Sequence, residues 1–336
     1  MKEARFWALD NGKIQCELCA RHCIITEGKT GVCGVRKNNK NKLFTMNYSM
    51  AAPINVDPIG KKPLFHFYPE SFVLSLGTAG CNFKCDYCQN CDLSQSRIED
   101  APARKVTLKK IHSLAKKGKC RGIAWTYNEP TIWYEFVFDA ARFLRKKGFF
   151  NVFVTNGYME KEPFVELSSF IDAINVDIKA FNDEFYAKIS RAHLKPVLAT
   201  CRLAKELGVH IEISYLLVPP LNSHPLEIQK LSRWIKNTLG RETPLHFLRF
   251  FPAHRLTDVP ATPREALVEA QQIAKMEGLI NVYINNLSGS KYQDTYCPEC
   301  KEMLVHREDF YTILNRVTDG KCPKCKAEVL MVASKK

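Results

Sequence analysis

The stretch that decides how this chain is read is GTAGCNFKCDYCQN, residues 77–90, which places Cys81, Cys85 and Cys88 in one short loop. Four thiolates close a tetrahedral metal site and leave it inert, whereas a reactive centre keeps a coordination position open. Three thiols on a cubane iron cluster leave one iron free for a ligand. Cys91 follows closely. On the open iron it would block that ligand, so this reading requires Cys91 to sit beside the group without binding it. The alternative is a zinc knuckle that borrows Cys91.

Working outward, the loop follows the first of a regular series of apolar, β-rich runs: residues 72–76, 122–127, 151–156, 173–180, 210–218 and 245–251. Between them the 3.6-residue period predicts helices at 107–118, 131–147, 160–169, 194–208, 225–239 and 263–277. Strict alternation implies an α/β fold with a parallel sheet and right-handed crossovers, in the form of a barrel or partial barrel. A seventh strand is expected at 281–285. In such a fold the site gathers at the C-terminal strand ends. The unusual polar residues stand there: Asn128 and Glu129, then Thr155 and Asn156, then Asp177 and Lys179. Within the fifth run, His210, Glu212 and Ser214 share one face by the two-residue strand period, opposite Ile211, Ile213 and Tyr215. Charged groups inside a barrel are costly unless they are functional or paired, and both readings stand.

The flanks differ in character. Residues 1–70 read as an irregular, cysteine-rich region that ends in a proline-containing connecting loop, VDPIGKKPLFHFYPE. The chain has 336 residues, 46% hydrophobic and 25% charged, with 14 cysteines. No apolar leader or long membrane-spanning run is present, so a cytoplasmic protein is expected, in which cysteines are reduced and serve metals. Cys16, Cys19, Cys23 and Cys33 form an N-terminal set for zinc or a second iron–sulfur cluster, with His22 a possible substitute ligand. Cys297-x2-Cys300 and Cys322-x2-Cys325 read as a zinc ribbon. Cys120 and Cys201 stand alone as small buried hydrophobes. The formal charge is +14; metal-bound thiolates reduce it to roughly +9. The basic residues are scattered, which fits a solvated surface, and next an acidic protein partner such as a ferredoxin or flavodoxin.

Cys81-x3-Cys85-x2-Cys88, with Tyr87 before its third cysteine, resembles the loop of the radical S-adenosylmethionine (SAM) superfamily. There three cysteines hold a [4Fe-4S] cluster whose free iron is chelated by SAM. Nearly the whole chain is similar to the radical SAM enzymes of the AmmeMemoRadiSam system, themselves similar to pyruvate formate-lyase activating enzymes. The motifs are CELCARHCIITEGKTGVCGVRKN (16–38), VDPIGKKPLFHF (56–67), the cysteine loop, TYNEPTIWYE (126–135), VTNGY (154–158), NVDIKAF (175–181), PLHFLRFFP (244–252), CPEC and CPKC. The resemblance implies a partial (β/α)6 barrel over 71–286, a metal-binding region over 1–70 and a zinc-ribbon-like region over 287–336. It further implies that Asn128 and Glu129 hold the SAM amino group. Tyr87, Thr155, Asn156, Asp177, Lys179, Glu212, His246 and Arg249 would line the SAM and substrate pocket. Cys91 stands where that family usually has Trp. The implied reaction is reductive cleavage of SAM to a 5′-deoxyadenosyl radical that abstracts hydrogen from a substrate. A low-potential electron donor and the system's other proteins are the implied partners.

Two other readings compete. A glycyl-radical-enzyme activase shares the chemistry and differs in its target. A zinc-ribbon scaffold binding nucleic acid through its basic surface shares none of it.

Overall fold

The computed structural model describes residues 1–10, 12–287 and 291–333. Its centre is an open eight-stranded sheet whose strands follow one another in chain order. They are β1 (Ile54–Pro58), β2 (Phe72–Leu76), β3 (Gly122–Trp125), β4 (Phe150–Thr155), β5 (Ala173–Asp177), β6 (His210–Leu217), β7 (Leu245–Arg249) and β8 (Val282–Asn285). Strands β2 to β8 are parallel; β1 pairs antiparallel with β2. Helices α1 (Leu108–Lys117), α2 (Tyr134–Arg145), α3 (Lys161–Ser168), α4 (Leu194–Glu206), α5 (Pro225–Thr238) and α6 (Arg264–Met276) follow β2 to β7. Local chemistry sets their ends. The Thr107 side chain caps α1 by accepting from the Lys110 amide, and Ile111 and Ala115 turn to the core. Covered on both faces, the central strands are largely buried, as in β3, where every residue is buried.

The six strands and helices expected between residues 72 and 277 are all present, and β8 is the seventh strand. The N-terminal region is more ordered than its sequence implied. It holds two three-stranded antiparallel sheets, one of Lys2–Glu3, Lys42–Thr45 and Arg36–Asn39, the other of Trp7–Asp10, Lys13–Cys16 and Ile24–Ile25. It also supplies β1.

The tail expected to be a connecting loop becomes a plug. Leu64, Phe65, His66 and Phe67 are buried. They pack at the N-terminal strand ends, where the Phe67 ring meets Phe150 and His210 and the Tyr68 ring stacks on Phe150. The lumen is thereby closed at that end. The C-terminal unit rests on the outside of this plug: Arg307 donates to the Phe65 carbonyl at 2.8 Å and Thr312 to the Pro69 carbonyl at 2.7 Å. This unit is a small antiparallel sheet, Thr295–Tyr296, Met303–Glu308 and Tyr311–Asn315. Of the expected 287–336 region, residues 288–290 and 334–336 lie outside the described residues. Among the described residues no helix is long and apolar enough to cross a membrane.

Candidate active site

At the open end of the barrel lies a cavity of about 530 Å³. The loop after β2 contributes Cys81, Cys85, Tyr87 and Cys88 to its wall. The segment after β3 adds Asn128 and Glu129; the end of β4 adds Thr155 and Asn156; β5 and its exit add Asp177 and Lys179. Seven of the ten residues assigned by resemblance to the SAM and substrate pocket therefore meet the three thiols in one space. Lys61 and Lys62 also line it. The sequence offered little to find them, since their segment has no periodicity; the signal was their place inside VDPIGKKPLFHF.

The local folding explains the convergence. Two residues past β3, Tyr127 has φ +73°, an uncommon left-handed conformation for a non-glycine residue that redirects the chain so Asn128 and Glu129 reach the cavity. Asn128 then fastens the cysteine loop: its Oδ1 accepts from the Thr78 amide at 3.2 Å and its Nδ2 donates to the Gly80 carbonyl at 2.7 Å. Glu129 ties β3 to β4. One oxygen accepts from the Thr131 amide, the Thr131 hydroxyl and the Thr155 hydroxyl; the other accepts from the Asn156 amide at 2.8 Å. Burial raises its pKa above the ordinary carboxylate value even so, with those donors opposing.

Asp177 is less complete. Its Oδ2 pairs with Lys179 at 2.5 Å, while its Oδ1 is buried with no hydrogen-bond partner. A buried carboxylate oxygen left unpaired is costly, which marks it as the place for a donor or cation. Beneath the pocket mouth, Lys62 is buried against Asp57 at 2.8 Å, and Asp57 also accepts from Tyr127 at 3.0 Å.

Three of the ten residues lie elsewhere. Glu212 and His246 sit at the plug, and Arg249 spends its Nε on the Thr262 carbonyl at 2.9 Å. Glu212 accepts from the Phe65 and His66 amides at 3.0 and 2.7 Å and contacts His210 and His246 at 3.0 and 2.7 Å. Both oxygens are used up in holding the plug. The strand period gave the inward face correctly; what it could not give was height. Leu216 and Leu248, further along β6 and β7, line the cavity instead. Four residues of strand put Leu216 about 13 Å above Glu212.

The thiols suit a cluster. Burial, then the Glu129 charge, pushes the Cys81 thiol well above its ordinary pKa, so a cationic core is needed to hold the thiolate. Among the described residues, the only group of three or more His, Cys, Asp or Glu whose ligand atoms all lie within 4.8 Å of one another is Cys297, Cys300, Cys322 and Cys325. The loop thiols form no such group. Cys91 heads a one-turn helix, Cys91–Ser94, contacts the Asp92 carboxylate and is not part of the cavity wall. The C-terminal quartet is drawn tight, with sulfurs 3.5 Å apart for Cys297 and Cys325 and 3.7 Å for Cys300 and Cys322. Such spacing is that of four thiolates on one ion, about 3.8 Å at a Zn–S bond of roughly 2.3 Å. A metal can therefore be bound there.

Comparison with known proteins bears on this arrangement. A family model described as the radical SAM superfamily matches residues 75–231. An uncharacterized protein of Methanocaldococcus jannaschii is 45% identical over 97% of this chain and 97% of its own. Pyruvate formate-lyase 1-activating enzyme of Escherichia coli K12 is 27% identical, over 53% of this chain and 72% of its own. Among solved structures, a radical SAM methyltransferase from Sphaerobacter thermophilus superposes with a TM-score of 0.50 at 18% identity, covering 68% of this chain and 71% of that one. That likeness is one of fold. With the three-cysteine loop on the first parallel strand and homology to activating enzymes, the chain belongs to the radical SAM superfamily.

Proposed function

We propose that this chain is a radical SAM enzyme of the AmmeMemoRadiSam type, acting on a substrate other than SAM that remains to be identified. The observation that carries this reading is the cavity in which three thiols share a wall with a buried, unpartnered carboxylate oxygen. A [4Fe-4S] cluster with SAM would supply reductive cleavage of SAM to methionine and a 5′-deoxyadenosyl radical that takes a hydrogen atom from the substrate. The chain's own groups do the rest. Cys81, Cys85 and Cys88 hold the cluster. Asp177 and Glu129 offer negative charge to a ligand that carries an ammonium and a sulfonium. Asn128 fixes the cysteine loop, and the plug excludes water from the far end.

The barrel over 71–286 is the catalytic unit in this reading, with zinc in the C-terminal quartet as a structural ion. The basic surface fits an acidic, low-potential electron donor such as a ferredoxin or flavodoxin, and the other proteins of the system are candidate partners. Anaerobically reconstituted protein given SAM and dithionite is expected to release 5′-deoxyadenosine and methionine. A protein that holds its cluster and releases neither would defeat the proposal. The similarity to an activating enzyme favours a second reading, an activase that installs a glycyl radical. Its mark is an electron paramagnetic resonance doublet on a glycyl-radical partner after incubation.

A further inference from the structure

The N-terminal cysteines gather as well, and in surroundings that differ from those of the C-terminal quartet. Cys16, Cys19, Cys23 and Cys33 line one cavity between the N-terminal sheets and the barrel. Three of the residues lining that cavity carry a buried donor with no nitrogen or oxygen partner: Arg21 Nη2, Arg36 Nε and Asn82 Nδ2, the Asn82 side chain facing the Cys19 thiol. Arg36 is only 2% exposed and Asn82 is fully buried. The rest of each group is engaged. Arg36 pairs with Glu135 at 3.0 Å, Arg21 Nε donates to the Asn82 carbonyl at 2.7 Å, and Asn82 Oδ1 accepts from Asn156 at 2.8 Å. Buried N–H groups left unpaired beside four thiols suit an anionic, sulfur-rich occupant, since unpaired buried donors are costly.

His22, the alternative ligand in the sequence, is turned away to Glu160 at 3.0 Å. The occupant is thus held by four sulfurs alone. Its kind follows from an internal comparison. In the C-terminal quartet all four sulfurs fall within 4.8 Å of one another, and among the described residues neither the N-terminal four nor the loop thiols form such a group. One tetrahedral zinc demands the tight arrangement. A cubane, whose thiolates sit on separate irons, demands a wider one.

We propose that Cys16, Cys19, Cys23 and Cys33 hold a second iron–sulfur cluster, with Arg21, Arg36 and Asn82 donating to its sulfurs. The site abuts the first cysteine loop on both residues that flank Cys81. Asn82 is one flank. Gly80 is the other: with φ +89° it lies so close to Cys33 that a Cβ would come within 2.3 Å of the Cys33 carbonyl oxygen. The chain thus places two redox-capable sites side by side.

The test reads metal and sulfide rather than turnover. The full chain is reconstituted anaerobically with iron and sulfide as wild type, as C81A/C85A/C88A and as C16S/C19S. The wild type is expected to hold about eight irons, and each variant about four, with matching acid-labile sulfide. Dithionite reduction of the two variants should give two different electron paramagnetic resonance signals. The proposal is overturned if C81A/C85A/C88A is colourless, whether its N-terminal site carries zinc or stays empty. It is equally overturned if C16S/C19S, folded by circular dichroism, keeps the wild-type iron content. A wild type with about four irons, all lost in C81A/C85A/C88A, would sink the second cluster and leave the first standing, whereas iron lost only on C16S/C19S would do the reverse, so failures of the two sites are told apart.

Discussion

Asp177 is incomplete without a ligand: Lys179 pairs with one oxygen, and the other is buried with no hydrogen-bond partner. An Asp177→Asn substitution removes the charge while keeping the shape. A hydrogen bond to a charged group is worth about 1.5–3 kcal/mol, so SAM affinity in equilibrium dialysis is expected to fall at least tenfold with iron content unchanged. An unaltered affinity would show that this carboxylate does not meet the ligand. Cys91 makes the complementary case. Outside the cavity wall and beside Asp92, it can be replaced by alanine with the iron count retained, whereas Cys88→Ala should lose the loop's cluster; the reverse pattern would reassign the ligands. These residues were legible in the sequence because their signals are local, a cysteine spacing and polar residues at strand ends. Lys61 and Lys62 were not, because only the folding of the plug brings them to the cavity.

Among the elements, the plug is one that the sequence concealed, and Glu212 is its anchor. Burial alone raises a carboxylate's pKa, yet the donors around Glu212 overcome this and hold it well below the usual range. Removing the acceptor leaves the Phe65 and His66 amides buried and unpaired, so Glu212→Ala is expected to cost about 3–5 kcal/mol in urea unfolding. A cost below about 1 kcal/mol would show that the plug holds without it. His66 adds a pH dependence. The Leu330 carbonyl can only accept, so Nδ1 carries the proton, and Nε2 accepts from the Tyr283 hydroxyl at 2.5 Å. Burial lowers the His66 pKa from 6.5 to about 4. In this window the unfolded chain takes up a proton that the folded one refuses, so stability is full above pH 6.5 and falls as pH drops towards 4, by roughly 3 kcal/mol. His66→Gln, which can still donate and accept, should flatten that slope in urea midpoints taken across the window; an unchanged slope would assign it to other groups. Strand alternation had placed Glu212 on the inner face correctly, while His246 came from the resemblance alone. Their height along β6 and β7 was hidden, because the end of the barrel that a segment 146 residues away in sequence would close is not written in either strand.

At the scale of the whole molecule, the barrel has one open and one closed end, and the closure is itself supported from outside. Arg307 is only 2% exposed and lies 4.3 Å over the Phe65 ring while donating to the Phe65 carbonyl. The backbone of Val332 pairs with that of the plug, accepting from the Tyr68 amide at 2.7 Å and donating to the His66 carbonyl at 2.8 Å. The small sheet that carries Arg307 has a core of only Leu304, Val305, Val317, Val329 and the buried cysteines Cys297 and Cys322. So little apolar surface cannot hold a unit of this size by itself, and a metal on the four thiols is what would fix it. A C300S/C322S variant is therefore expected to lose the C-terminal ion and its order together, and with them the outer support of residues 63–68. Hydrogen exchange should rise in the C-terminal unit and in the plug, and the melting temperature should fall by ~5 °C or more. The cysteine loop lies at the opposite end of the barrel, so its iron should be retained. Raised exchange in the C-terminal unit with full protection of the plug would show instead that the Glu212 network closes the barrel unaided.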